Sequence, residues 1–229
     1  MNKIELNNIY NIDCLEGMKL MANKSVNFVL TDIPYDAANR SSNGLRNLDK
    51  EAADVITFDL NTFLEEVYRI TDNAICIFCG KEQFSQIYFF FASKKGTTRP
   101  IIWEKTNPSP MNGQYIYLSG VELAVWFKKP GSKPFNAHCK NTVFKYPNGT
   151  RELHPTQKNI NLFKELILDN TNENSIVFDP CLGSGTTVIA CIDTNRQYIG
   201  FELNEDYYNK AINRINKHKE EVKTNEKDN

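Results

Sequence analysis

Residues 175–187 read SIVFDPCLGSGTT: an apolar run closed by an acidic residue, then a loop with two glycines and a pair of threonines. That order is the order of a buried strand passing through a tight turn into a helix. Gly183 and Gly185 let the backbone approach a ligand closely, and a helix starting at Thr186 leaves N–H groups free to bind one. A plain βα turn uses glycines in the same way, so the turn alone leaves both readings open. The next strand adds weight. Residues 197–203 (QYIGFEL) end a strand at Glu202, about twenty residues past the glycines, where a carboxylate can accept hydrogen bonds from ribose hydroxyls. The two together describe an adenosine-type site. The G-x-G-x-x-G of dinucleotide binders is absent, because Gly185 is followed by Thr186, Thr187 and Val188, which weighs against a nicotinamide-dependent oxidoreductase.

Runs like 175–178 recur at residues 8–12, 26–31, 74–79, 100–103, 121–127 and 197–201, with helical patterns at 60–70, 82–92, 156–168, 186–193 and 205–218 between them. Alternating strands and helices predict an α/β fold in three layers around a mostly parallel, seven-stranded sheet. One domain spans 1–219. Within it, the polar stretch 36–59 is long for a connection and reads as a mobile, functional loop. Residues 105–118 and 129–153, rich in Pro, Gly, Asn and Lys, are expected to hold no packed core. Residues 220–229 carry almost no apolar side chains and are expected to form a flexible tail.

The 229 residues are 41% apolar and 24% charged, an ordinary globular composition. No run approaches the length of a membrane span, and MNKIELNNIYNIDC lacks the blocks of a signal peptide, so a cytoplasmic, bacterial or phage-type protein with reduced thiols is expected. Cys76 and Cys79 have metal-like spacing, but AICIFCG reads as a buried strand in which positions three apart face opposite ways. No second CxxC completes a site, and no metal is expected. The net charge of -1 hides an asymmetry: residues 94–158 hold eleven Lys and Arg against three Glu and no Asp. Either a polyanionic partner or a solvated basic face accounts for it.

Asp32-Ile33-Pro34-Tyr35 closes the 26–31 strand, and ligands bind at the carboxyl ends of parallel strands in open α/β sheets. An aromatic amino group is a poor nucleophile because its lone pair is delocalised into the ring. The Asp32 carboxylate and the Ile33 carbonyl can both accept hydrogen bonds from such a group and draw it toward tetrahedral geometry. Pro34 stiffens the backbone. Tyr35 can stack on a base rotated out of its helix, which contributes roughly 1–3 kcal/mol. An ordinary capped turn would also fit these four residues alone.

Taken together the motifs resemble the DNA amino-methyltransferases of the β class, in which a [DS]PP[YFW] motif comes early and D-P-F-x-G-x-G-T late. Here Asp32 to Tyr35 precede Asp179-Pro180-Cys181-Leu182-Gly183-Ser184-Gly185-Thr186. Asn11-Ile12-Asp13-Cys14-Leu15 is similar to the family's G-D-C-L segment, whose Asp contacts the cofactor. Ile102 to Pro108 (IWEKTNP) resembles its W-x-K-x-N-P segment beside the target base. His154-Pro155-Thr156-Gln157-Lys158 matches its H-P-T-Q-K-P, which lines the methionine end of the cofactor, and Gly200-Phe201-Glu202-Leu203 its G-x-E segment. The sequence departs in two places: Ile33 stands for the usual Pro, adding an N–H, and Asn159 replaces the Pro after Lys158.

The resemblance implies a Rossmann-like methyltransferase fold in circularly permuted order with a small inserted recognition region at 106–153, and S-adenosyl-L-methionine as cofactor. It places Asp13, Cys14, Asp32, Thr156, Gln157, Lys158, Asp179, Pro180, Gly183, Ser184, Gly185, Thr186, Thr187, Glu202 and Leu203 around that cofactor. His154 either contacts it or caps and packs before the helix of 156–168. Asp32, Ile33, Pro34 and Tyr35 become the catalytic residues of direct methyl transfer, without a covalent intermediate. Trp103, Lys105 and Asn107 are expected beside the base. Lys128, Lys129 and Lys133, with Lys140, Lys145, Tyr115, Tyr117 and Phe135 nearby in sequence, are expected on the DNA backbone. Arg40, Asn43 and Arg46 either reach the DNA or belong to a solvated loop. An initial Asp favours adenine N6, since Ser is common in cytosine-N4 enzymes. Cytosine N4, RNA or single-stranded DNA, and an inactive DNA- and cofactor-binding subunit are the alternatives. Double-stranded DNA, a homodimer and a companion restriction endonuclease are the partners considered.

Overall fold

A computed structural model describes residues 4–35, 56–110, 113–149 and 158–227. In chain order the elements are β1 (Asn8–Asn11), α1 (Cys14–Lys19), β2 (Val26–Asp32), α2 (Leu60–Ile70), β3 (Thr71–Cys79), α3 (Lys81–Ala92), β4 (Thr97–Lys105), β5 (Val121–Lys128), β6 (Val143–Tyr146), α4 (Ile160–Asn170), β7 (Ile176–Asp179), α5 (Thr186–Asp193), β8 (Gln197–Glu202) and α6 (Glu205–Lys227). One sheet takes the order β1-β8-β7-β2-β3-β5-β4-β6. Its pairs are parallel except where β5 lies between β3 and β4, antiparallel to both. The described sheet therefore has eight strands rather than the seven expected, the addition being β6 on the edge beside β4.

Alternation along β3 shows how the layers form. Ala74, Cys76 and Phe78 face one core with α4, α5 and α6, whereas Ile75, Ile77 and Cys79 face another with α1, α2 and α3. The two thiols of the CxxC spacing thus lie on opposite faces of the sheet, as period-two alternation requires. On the first face Phe163 of α4 stacks on Phe78, ring centroids 5.6 Å apart. Both rings are buried, and each contributes about 2 kcal/mol.

Other expectations shift. The stretch 129–153 contributes to the core after all: Ala137 and Phe144 are buried, and β6 hydrogen-bonds along β4 from Ile102 to Lys105. Helix α4 begins at Ile160, not 156, because the Asn159 side chain accepts from the Leu162 N–H and caps it. The Asn that replaces the family's Pro thus starts the helix. Helix α6 continues to Lys227, through most of the segment expected to fray, with Lys217 and Glu221 paired one turn apart. Short α1, not foreseen, is capped by Asp13, whose carboxylate accepts from the N–H groups of Leu15 and Glu16. The loop expected at 36–59 lies largely outside the described residues.

Gly17 sets how closely α1 approaches β8. A Cβ there would sit 2.4 Å from the Phe201 ring, which is itself wedged between Tyr10 and Phe178. Gly17→Ala is expected to cost about 1–3 kcal/mol, seen as a lower urea midpoint. An unchanged midpoint would mean that α1 lifts from β8 freely.

Candidate active site

The carboxyl ends of β2, β7 and β8 lie side by side, and the chain between β7 and α5 turns there. Gly183 and Gly185 have φ of 52° and 81°, the left-handed region that side chains rarely adopt. Gly185 caps α5 and packs beneath Ile215. The Gly183 N–H donates to Glu202 Oε2 over 2.8 Å, and the Asn204 N–H donates to Oε1 over 2.9 Å. Burial raises the Glu202 carboxyl above its ordinary value, against those backbone donors. Asp179 is buried and accepts from the Thr31 hydroxyl at 2.7 Å, the Thr187 hydroxyl at 2.5 Å and the Cys181 N–H at 3.1 Å. Burial outweighs these donors and raises its carboxyl to about 7.

A cavity of about 510 Å³ opens on these groups, of the size that takes a nucleoside-like ligand. Asp179, Pro180, Gly183, Ser184, Thr186, Thr187, Glu202 and Leu203 line it, as do Asp13 and Cys14 from the start of α1. Asp32, Ile33, Pro34, Tyr35 and Lys158 form its other end. Gly185 lies behind the wall, while His154, Thr156 and Gln157 lie outside the described residues. The fit to S-adenosylmethionine is chemical as well as spatial. Backbone N–H groups and the Glu202 carboxylate in the lining are of the kind that can bind ribose hydroxyls. Acidic Asp13, Asp179 and Glu205 suit a ligand carrying a sulfonium and an ammonium. Among the described residues no group of three or more His, Cys, Asp or Glu could hold a metal.

At the Asp32 end the side chains form one connected cluster. Tyr35 donates its hydroxyl to Asp32 Oδ1 over 2.8 Å. The Lys158 ammonium sits 3.0 Å from Asp32 Oδ2, 2.9 Å from the Tyr35 hydroxyl and 2.5 Å from Glu122 Oε2. Lys105 meets the other Glu122 oxygen at 2.6 Å. Burial raises Asp32 to about 6, against the pull of Lys158. Burial pushes Glu122 upward too, but two ammonium groups hold it at about 2. Lys158 stays charged above its ordinary range, since the two carboxylates outweigh the cost of burying it. Ile33 does not loosen the loop: its N–H donates to Phe78 O at 3.1 Å and extends the β2–β3 ladder, and its side chain is buried. Gln83 braces the next residue, donating to Pro34 O while accepting from the Gly80 N–H.

Glu122 and Gln83 escaped the sequence reading. Glu122 did leave a signal, a carboxylate inside the apolar run 121–127. The residues expected on DNA separate. Trp103 is 1% exposed and donates its indole N–H to Tyr146 O, so it belongs to the core rather than the surface. Lys105 pairs with Glu122, and Asn107 accepts from the Asn148 N–H. Because β5 runs antiparallel, Lys128 pairs with Ala74 at the opposite edge of the sheet. There it donates to Asn73 and Ser132, and Lys129 donates to the carbonyls of Tyr68 and Thr71. Lys133 lines a second hollow with Lys129 on that edge. These three lysines, expected on the DNA backbone, thus lie at the end of the sheet away from the cavity. On the cavity side, the β4–β5 connection instead exposes Tyr115, Ile116 and Tyr117.

The family model described as DNA methylase, for N6 and N4 methyltransferases, matches residues 26–214. The type II methyltransferase M.HpaI of Haemophilus parainfluenzae is 27% identical over 89% of this chain and 72% of its own. The crystal structure of the M1.HpyAVI–SAM complex aligns with TM-score 0.70 at 28% identity, over 90% of this chain and 98% of the other. The cytosine-N4-specific PvuII DNA methyltransferase shares the fold, with TM-score 0.71 at 16% identity over 92% and 86% of the two chains. The chain belongs to the DNA methylase family of N6 and N4 amino-methyltransferases, and is an S-adenosylmethionine-dependent DNA methyltransferase. Among the described residues no helix is long and apolar enough to cross a membrane.

Proposed function

We propose that the chain methylates the exocyclic N6 of adenine in duplex DNA, taking the base out of the stack and transferring the methyl directly. The observation that carries this reading is one shared cavity: Asp32 to Tyr35 close one end, and the Asp179 to Thr187 turn with Glu202 the other. S-adenosylmethionine supplies an electrophilic methyl on a positively charged sulfur. Asp32 and the Ile33 carbonyl accept hydrogen bonds from the amino group, concentrating its lone pair toward that methyl. As the N–C bond forms, the S–C pair remains on sulfur and the nitrogen sheds a proton, for which the Asp32 carboxylate is the nearby acceptor. Tyr35 offers its ring for stacking. Exposed Tyr115, Ile116 and Tyr117 on the cavity side suit contact with the opened duplex.

Asp at the first motif position favours adenine. The likeness to a cytosine-N4 enzyme supports cytosine N4 as the second reading, because both amino groups present the same donors to Asp32. Incubation with methyl-labelled cofactor and a mixture of unmethylated duplex DNA, single-stranded DNA and RNA, followed by digestion and mass spectrometry of the nucleosides, decides between them. N6-methyladenine is the expected product. N4-methylcytosine would replace the base but keep the chemistry, and label confined to RNA would overturn the reading.

A further inference from the structure

Glu122, Lys158 and Lys105 belong to the cluster at the Asp32 end but have no role in the transfer as described. Glu122 reaches it from β5, a strand that carries no methyl-transfer residue, and its side chain is 21% exposed. We propose that Glu122 is a positioning residue of the transfer site, holding the Lys158 ammonium at a point shared between two carboxylates so that Asp32 stays an available acceptor for the amino group. This rests on the methyl-transfer reading above.

The geometry supplies the argument. Lys158 has three N–H donors, and its three close neighbours are Asp32, Glu122 and the Tyr35 hydroxyl. Its side chain is 7% exposed, so water does little to dilute its charge. Left with Asp32 alone, that ammonium would bind the carboxylate as a tight pair and draw away the lone pairs the base must use. Glu122 contacts it at the shorter distance and takes part of that charge, while Lys105 balances the second negative charge. Two ammonium and two carboxylate groups then leave the cluster neutral. The groups facing Asp32 are Lys158 ahead of α4, Tyr35 after β2, Glu122 on β5 and Asp179 on β7. Cys79 on β3 is within electrostatic reach. Glu122 raises the proton affinity of Asp32 and Lys158 lowers it.

Two single substitutions therefore move Asp32 in opposite directions. Glu122→Gln removes a negative neighbour and frees Lys158 for Asp32. Lys158→Met removes the positive neighbour and leaves Glu122 to Lys105. A part played only in packing would slow catalysis in both variants without splitting the direction. The experiment is a carboxyl ¹³C NMR titration of the Asp-labelled full chain, with Asp32 assigned from its missing signal in Asp32→Asn. Its midpoint is expected to fall by about one pH unit in Glu122→Gln and to rise by about as much in Lys158→Met. The acid limb of kcat/KM should follow in the same two directions. Should Glu122→Gln fold poorly, Glu122→Gln/Lys105→Met keeps the cluster neutral and carries the same downward expectation. Midpoints that stay put, or move the same way in both variants, would overturn the proposal. Opposite shifts in the two variants, with a wild-type chain that labels no nucleic acid, would uphold the charge-sharing cluster and overturn the methyl-transfer reading instead.

Discussion

Asp32→Ala is expected to lower the rate of methyl transfer by on the order of a thousandfold, far more than it weakens cofactor binding. The side chain removed is the charged one of the two acceptors proposed for the amino group, and the Ile33 carbonyl alone leaves the nitrogen close to planar. The fold should survive, because Lys158 keeps Glu122 as its partner and no buried ammonium is left unpaired. Single-turnover transfer and calorimetric titration with S-adenosylmethionine would separate the two effects. A loss below tenfold would mean that the carbonyl suffices. The same residue sets a pH expectation. Burial raises Asp32 to about 6, so above that pH it is a carboxylate that accepts two donors, and as pH falls through it the protonated form loses acceptor capacity. The wild-type rate should therefore decline below about pH 6, whereas what remains in Asp32→Ala should not follow that limb.

Parallel strands buried on both faces are near-continuous apolar runs, which is why β2, β3, β7 and β8 could be read from composition alone. β6 could not. Its four residues VFKY sit between Asn-Thr and Pro-Asn-Gly, and what makes them a strand is pairing with β4 some forty residues earlier, a partner no local pattern names. The placement of charge is hidden from the sequence for a related reason. A strand carries consecutive residues from one edge of the sheet to the other, so the basic excess of 94–158 is divided: Lys128 ends at the edge away from the cavity, Lys105 and Lys158 lie inside the cluster, and Lys140 pairs with Glu165 and Asp169 on α4. The residues of the glycine turn and of the Asp32 loop were legible because their chemistry is local to each segment. Glu122 was not, since its meaning comes from Lys158, thirty-six residues away.

Glu202→Ala is expected to weaken S-adenosylmethionine binding by about a hundredfold. On the proposed pose the carboxylate accepts two ribose hydroxyls, and bonds to a charged acceptor are worth about 1.5–3 kcal/mol each, against about 2.7 kcal/mol for that factor. The group is prepared for the task, because Gly183 and Asn204 each donate an N–H to one of its oxygens, fixing its plane while leaving a lone pair on each oxygen. Those same bonds brace the glycine turn, so a fall in affinity could come from a slack turn rather than from lost ribose contacts. Glu202→Gln distinguishes the two. The amide retains an oxygen for one N–H and a donor for one hydroxyl, so it should fall between wild type and Ala in affinity. The melting temperature of the ligand-free chain reads the bracing alone. If both variants melt like wild type and bind the cofactor equally well, Glu202 does not face the ribose, and the hydroxyls must be held by another group in the cavity wall.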